Sequence, residues 1–332
     1  MERVLVTGGA GYVGSVCAAR LLAHGYSVDI VDDLSDGHVD AIPPGATLHR
    51  LDIGNRDGLS NLLSSKKYDV VFHFAAKALI PESVTNPGVF FDVNVARGIA
   101  MLEVLRAHGI RKFVFSSTAA VYGNPFSALI SEDHPKQPVN SYGESKLMFE
   151  QILRWHTTAY DWSVVVFRYF NASGGTHNWG ERHDPETHII PILLQVASQR
   201  RPWFEVYGTD YPTADGTCLR DYVHVNDIAE AHILAIGKVV SPGFHVYNIG
   251  TGVSHSVHEV WRTAQEVTGK HIPKREAARR TGDPAVLCAN PDRLKQDLGW
   301  WPVESDLREI VLGAWEWEQA LCEQAEVRAR TV

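Results

Sequence analysis

The chain has 332 residues, 45% hydrophobic and 21% charged, a composition that supports a buried core and excludes disorder. Its formal net charge of −8 gives no basic face for nucleic acid or for a membrane surface. Four scattered cysteines, Cys17, Cys218, Cys288 and Cys322, suggest neither a disulfide framework nor a zinc knuckle, and fit a reducing cytoplasm.

The first apolar run, Val4-Leu5-Val6, is a strand's length and leaves no room for a charged leader, so export is not expected. No later apolar stretch approaches the roughly 20 residues that cross a bilayer, so the chain is expected to be soluble. In chain order, short β-branched runs predict strands at Arg3–Thr7, Ser27–Asp32, Thr47–Asp52, Val70–Ala75, Lys112–Ser117 and Ser163–Tyr169. Between them, apolar residues at three- and four-residue intervals predict helices at Gly14–Ala23, Asp57–Leu63, Asn94–Ala107 and Tyr142–Tyr160. The alternation is that of an α/β fold, a doubly wound parallel (Rossmann) sheet.

After Asn171 the stretch Ala172–Thr187, rich in Gly, Asn, His, Pro and Asp, predicts a loop. Beyond it, helices are expected at His188–Ser198, Val225–Gly237 and Val257–Thr268, strands at Phe204–Tyr207 and Val246–Ile249, and a Trp-rich helix around Leu307–Leu321. The expected organisation is a dinucleotide domain over residues 1–171 and a smaller mixed α/β substrate domain over 172–332, with segments near 220–250 packing back on the first.

Gly8-Gly9-Ala10-Gly11-Tyr12-Val13-Gly14 lies between the first strand and the first helix. Gly8 permits the tight turn, Gly11 lets the backbone approach a pyrophosphate, and Gly14 lets the helix pack close to the strand. Asp32 ends the second strand, near the roughly 20-residue spacing at which a carboxylate grips an adenosine ribose. Asp33 follows with no adjacent Arg or Lys. Carboxylates there repel a ribose 2′-phosphate, so NAD is expected rather than NADP. Asp52, at the end of the third strand, suits either an acceptor for the adenine amine or a helix N-cap.

Tyr142-Gly143-Glu144-Ser145-Lys146 puts a phenol and an ammonium on one helix face. It follows a strand ending Ser116-Ser117-Thr118. A neighbouring ammonium and a positive nicotinamide favour the ionised phenol, which makes Tyr142 the acid/base and Thr118 a partner that positions the same hydroxyl. Lys146 would bind the nicotinamide ribose and tune Tyr142.

These segments are joined by Phe74-Ala75-Ala76, Ser116 to Gly123, Arg168-Tyr169-Phe170-Asn171, the run from Tyr207 to Val225, and Arg279-Arg280-Thr281-Gly282-Asp283. Together they resemble the UDP-glucose 4-epimerases of the extended short-chain dehydrogenase/reductase family over nearly the whole chain. The resemblance implies NAD held by Gly8, Gly11, Tyr12, Val13, Gly14, Asp32, Asp33, Leu34, Asp36, Gly37, Asp52, Ile53, Phe74, Ala75, Ala76, Lys77, Asn94, Ser116, Tyr142, Lys146 and Phe170. It implies a UDP-sugar bound by Thr118, Tyr142, Asn171, His188, Ile189, Tyr207, Arg220, Arg280, Asp283 and Leu287.

In that reading Arg220 and Arg280 carry the diphosphate, Asp283 the uridine ribose, Tyr207 the uracil face, and Asn171, His188 and Ile189 the pyrophosphate and nearby backbone contacts. Tyr142, Thr118 and Lys146 would invert C4 of a UDP-hexose, by default UDP-glucose and UDP-galactose. Ala119-Ala120 stand where the related 4,6-dehydratases carry Asp-Glu, so elimination of the 6-hydroxyl is not expected. The alternatives are the same chemistry on a UDP-N-acetylhexosamine, UDP-pentose or UDP-uronic acid, or a catalytically silent NAD-binding scaffold. Leu287 falls where some relatives carry Tyr, which leaves room for an N-acetyl group.

No metal is expected, and His177, His183 and His188 are read as solvent-exposed loop residues. The helices Asn94–Ala107 and Tyr142–Tyr160 resemble the pair that family members use in a two-fold contact. A homodimer is therefore expected, with Ile99, Met101, Leu147 and Phe149 as outward candidates.

Overall fold

The computed structural model describes residues 2–280 and 282–330, with side chains up to Gln324. Six strands run through the first half: β1 Arg3–Thr7, β2 Ser27–Asp32, β3 Thr47–Arg50, β4 Val70–His73, β5 Lys112–Thr118 and β6 Ser163–Tyr169. With the later strand Gly243–Ile249 they form one sheet in the order Gly243–Ile249, β6, β5, β4, β1, β2, β3. Every pairing in it is parallel. The chain leaves β1 for β2 on one side and β4 on the other. A parallel sheet opens a ligand crevice at such a reversal, beyond the carboxyl ends of its strands.

Helices cover both faces, which is why the strands are continuously apolar. Val4 and Val6 of β1 point into one buried layer with Ile30, Phe72, Val165 and Phe167, closed by the helices Tyr12–Ala23 and Val225–Lys238. Leu5 points the other way, into a layer with Val31, Val71, Phe113 and Phe115, closed by Arg56–Ser65, Gly98–Ala107 and Ser141–Tyr160. A third core joins the helices Ile189–Ala197, Val257–Thr268 and Leu307–Arg330 through Ile190, Leu193, Val260, Ile310 and Val311. The parallel strand pair Phe204–Tyr207 and Lys274–Ala277 flanks it.

The element ends depart from the sequence reading where tertiary bonds intervene. β4 stops at His73 because the backbone N–H groups of Phe74 and Ala75 both turn to the Thr7 carbonyl, at 2.9 and 3.1 Å. The helix expected over Asn94–Ala107 begins as a wider π-type segment, Asp92–Arg97, and becomes α-helical at Gly98. The strand expected from Val246 begins at Gly243, in full register with β6 from Ser163 to Tyr169. Helix Arg56–Ser65 is capped by Asn55, whose side chain accepts from Gly58 N at 3.0 Å, so Asp52 is not the cap.

Candidate functional site

A cavity of about 1140 Å³ runs along the carboxyl edge of the sheet and under the second half of the chain. All the residues expected to touch cofactor or substrate line it, with one exception. Asn94 is buried outside the cavity wall, 3% exposed. Its carboxamide accepts from Lys77 N at 2.8 Å and donates to Lys77 O and Ser145 Oγ, both at 3.0 Å. It therefore anchors the backbone of Lys77, which itself lines the cavity.

Thr118, Tyr142 and Lys146, the expected acid/base group, come together from two elements. β5 carries Ser116 and Thr118, and the helix Ser141–Tyr160 is started by Asn140, whose side chain accepts from Gly143 N at 2.8 Å. That cap sets Tyr142 in the first turn, where its phenol hydrogen-bonds Thr118. Lys146, one turn on and 3% exposed, donates from Nζ to Ser116 O at 2.8 Å.

Desolvation dominates the electrostatics of this pair. Burial lifts the Tyr142 phenol above its ordinary value, and only the Thr118 hydrogen bond opposes this. Burial likewise brings Lys146 down to about 7, with the Glu150 carboxylate opposing.

At the dinucleotide end the glycines do as expected. A Cβ on Gly8 would lie 2.4 Å from Ala75 N and one on Gly14 would lie 2.2 Å from Gly8 O. A Cβ on Gly11 would meet only Gly8 O, at 3.4 Å, and otherwise fill the cradle that a pyrophosphate needs. Asp32 accepts from Ala10 N and Leu34 N, each at 2.9 Å, which ties the glycine turn to the end of β2. Asp33 and Asp36 are exposed beside it, so the ribose end stays acidic, as NAD requires. Lys77 donates to Asp36 Oδ2 at 2.7 Å across this end. Asp52 accepts from Gly54 N at 2.6 Å and pairs with Arg97, a residue that the sequence reading did not single out.

At the substrate end Arg220 is 11% exposed and holds its guanidinium on Leu219 O and Pro284 O, at 2.8 and 2.9 Å, with Asp283 3.7 Å away. Leu287 stands in register opposite Arg220 on a short parallel pair. Arg280 lies 4.1 Å from the Tyr207 ring centroid, so one face of the ring assigned to uracil carries a guanidinium instead. Thr281 falls outside the described residues.

The loop before Ile189–Ala197 holds the group that the sequence reading missed. His177 is exposed as expected, whereas His183 and His188 are drawn into ion pairs. Glu181 Oε1 lies 2.8 Å from His188 Nδ1 and 3.2 Å from His183 Nδ1. Glu186 Oε1 accepts from Thr187 N, His188 N and His188 Nδ1, at 2.8, 2.8 and 2.9 Å. The donor atoms of all four side chains lie within 4.8 Å of one another. The alternation Glu-x-His and Glu-x-His was visible in the sequence, but only the fold of the loop turns both carboxylates inward.

Comparison with known proteins agrees with this geometry. The model of the NAD dependent epimerase/dehydratase family matches residues 4–250. The chain is 44% identical over 319 residues to the UDP-glucose 4-epimerase of Corynebacterium glutamicum, with 96% of each chain covered. The UDP-glucose 4-epimerase of Brucella ovis in complex with NAD superposes with a TM-score of 0.91 at 39% identity, covering 95% of this chain and 98% of that one. That of Bifidobacterium longum in complex with NAD+ and UDP also gives 0.91, at 33% identity, covering 96% and 98%.

Proposed function

The chain belongs to the NAD dependent epimerase/dehydratase family and is an NAD-dependent 4-epimerase of UDP-hexoses, and we propose that Thr118, Tyr142 and Lys146 carry its chemistry. The observation that carries the assignment is one cavity lined both by this trio and by Arg220, Arg280 and Asp283. A protein of net charge −8 that takes in a nucleoside diphosphate needs placed guanidinium groups, and Arg220 keeps only 11% of its side chain exposed while Arg280 stacks on the Tyr207 ring. UDP-glucose and UDP-galactose are the expected pair.

When bound, NAD supplies reversible acceptance of hydride from C4. The glycine turn, Asp32 and the Asp52 region are the residues that would hold it. Tyr142 takes the proton of the 4-hydroxyl, with Thr118 keeping that hydroxyl in line, and gives a proton back when the C4 ketone is reduced from its other face. Lys146, anchored on Ser116 O, keeps its amino group on the helix face that carries the phenol. The side chains after Thr118 are Ala119 and Ala120, with no second acid/base pair to eliminate water. Tyr142→Phe is expected to lower kcat by roughly 10²–10⁴-fold while UDP binding persists. Near-normal turnover in that variant would remove Tyr142 from the mechanism.

In the same reading residues 1–171 hold NAD, residues 172–332 mainly hold the UDP-sugar, and segments near 220–250 serve the first unit. The protein works in the cytoplasm as a homodimer. Among the described residues, no helix is long and apolar enough to cross a membrane. Of the apolar residues expected to face a partner, Met101 and Phe149 are wholly buried against the sheet. Ile99, Met148 and Trp155 are exposed on the same two helices, Trp155 to 71%. These three support the dimer, and a monomeric mass at micromolar concentration would refute it.

A further inference from the structure

We propose that Glu181 and Glu186 are positioning residues that hold His188 as an imidazolium, so that its Nε2–H donates to the diphosphate of the UDP-sugar. The inference rests on the reading of the cavity as a UDP-sugar site. The geometry supplies the first argument. Both carboxylates converge on one ring nitrogen, Nδ1, at 2.8 and 2.9 Å. A single N–H facing two carboxylates is satisfied by a cation, and the second nitrogen of an imidazolium is then also a donor.

The two acids are well placed for this task. Glu181 and Glu186 have 7% and 2% of their side chains exposed, whereas His188 keeps 43% of its side chain exposed and lines the cavity. Among the described residues Nε2 has no hydrogen-bond partner. His188 also precedes the helix Ile189–Ala197, whose first backbone N–H groups point the same partial positive charge at an anion.

The surrounding charges agree. His183 stacks 5.2 Å from the His188 ring and shares Glu181 with it. From the first helix, the half-buried Tyr12 phenol donates to Gly174 O at 2.7 Å and is kept neutral by desolvation first and by Glu181 and Glu186 next. From beyond Ile189–Ala197, Arg201 donates to the backbone carbonyl of Glu186 at 3.2 Å, and from the C-terminal helix Trp317 donates to that of Glu181 at 3.0 Å. Burial disfavours charge on His188, but Glu181 and then Glu186 outweigh it and raise the imidazole to about 10. The charge therefore persists through neutral pH and is lost only as pH rises toward that value. A neutral asparagine in this position could donate a hydrogen bond but not a charge.

The test is calorimetric titration of UDP between pH 6 and 9 into the unsubstituted protein, into Glu181→Gln combined with Glu186→Gln, and into His188→Asn. With both carboxylates replaced, His188 returns toward an ordinary imidazole, and UDP affinity falls about tenfold as pH rises through about 6.5. The unsubstituted protein lacks that limb, apart from the titration of UDP's own terminal phosphate at about 6, which all three proteins share. His188→Asn binds about tenfold more weakly at neutral pH and lacks the limb as well. Where the double variant does not fold, Glu181→Gln alone carries the comparison.

Equal pH profiles for the carboxamide variant and the unsubstituted protein overturn the inference, as does a uniform loss at every pH, which is what a merely structural role produces. Loss of bound NAD with UDP affinity retained places the contact on the cofactor's diphosphate and also overturns it. So does a stoichiometric divalent metal in the purified protein whose removal by EDTA reproduces the loss. An unsubstituted protein that binds no UDP overturns the underlying reading and this inference together, whereas the other outcomes overturn the inference alone.

Discussion

Arg168 and Glu150 form a salt bridge at 2.6 Å inside the protein, with 2% and 4% of their side chains exposed. Arg168 Nε donates to the same carboxylate at 3.0 Å, and Nη1 donates to Tyr122 Oη at 2.8 Å and Glu132 O at 3.2 Å. Glu150 also accepts from Ser117 Oγ at 2.5 Å and lies one helical turn beyond Lys146. The pair thus sits directly behind the acid/base group, and Glu150 is the carboxylate that opposes desolvation of the Lys146 ammonium.

Removing one partner leaves a buried charge uncompensated, so Glu150→Gln is expected to cost about 3–5 kcal/mol in urea-induced unfolding. Adding Arg168→Met should recover much of that loss, because the unpaired guanidinium is then gone. A single variant as stable as the original would mean that Arg168 is satisfied without Glu150.

Leu287 lines the cavity. It stands opposite Arg220 and packs on the buried group formed by Ala119, Val121, Tyr122 and Phe170. Adding bulk there removes space for an acetamido group at the sugar C2. Leu287→Tyr is expected to lower kcat/KM for UDP-N-acetylglucosamine relative to UDP-glucose by about tenfold or more. An unchanged preference would show that another wall sets the size of the pocket.

Gly14→Ala tests the close approach of helix and strand. The added methyl would lie 2.2 Å from Gly8 O and 3.0 Å from Gly9 Cα, both backbone atoms that can yield only if the turn shifts. A cost of about 1–3 kcal/mol is expected, together with less NAD retained through purification, read from the absorbance of extracted cofactor. Gly88→Ala is the control, since a Cβ there meets nothing within 4 Å.

Acid stability follows from two buried histidines. His73 bonds Thr7 Oγ1 at 2.7 Å and His232 bonds Tyr169 Oη at 2.8 Å, with 2% and 0% of each residue exposed. Burial brings their imidazoles down to about 3 and about 4. The unfolded chain protonates them near 6.5 while the folded protein does not, so the stability they contribute is complete above that pH and is lost as pH falls toward 4. Each should account for about 2–3 kcal/mol between pH 6.5 and 4.5, at about 1.4 kcal/mol per pKa unit. Urea unfolding across that range should be steeper for the unsubstituted protein than for His73→Asn, and parallel slopes would exclude His73 as a source.

What could be read along the chain was what depends on neighbours in sequence. The glycine turn needs its positive-φ Gly8, and the side-chain-free approach of Gly14 to Gly8 O is made between residues of the same turn, whereas the tight fit of Gly8 against Ala75 N is set by the fold. Tyr142 and Lys146 share a face through helical periodicity alone. The alternation of strands and helices follows from burial of both sheet faces, and its limits were missed where tertiary bonds set them, as where β4 surrendered Phe74 and Ala75 to the Thr7 carbonyl.

The sequence by itself therefore determined the Rossmann sheet, the acidic end of β2 that suits NAD, and the shared helix face of Tyr142 and Lys146. Each of these follows from local periodicity, local sterics or the sign of adjacent charges. The tertiary structure decided the rest: that Asn55 rather than Asp52 caps its helix, that Met101 and Phe149 face the sheet while Trp155 faces outward, and that burial lifts the Tyr142 phenol against its Thr118 hydrogen bond. It also decided that Glu181 and Glu186 share one nitrogen of His188. Those outcomes depend on desolvation and on which charges meet across folded segments, and neither quantity exists until distant parts of the chain have excluded water between them.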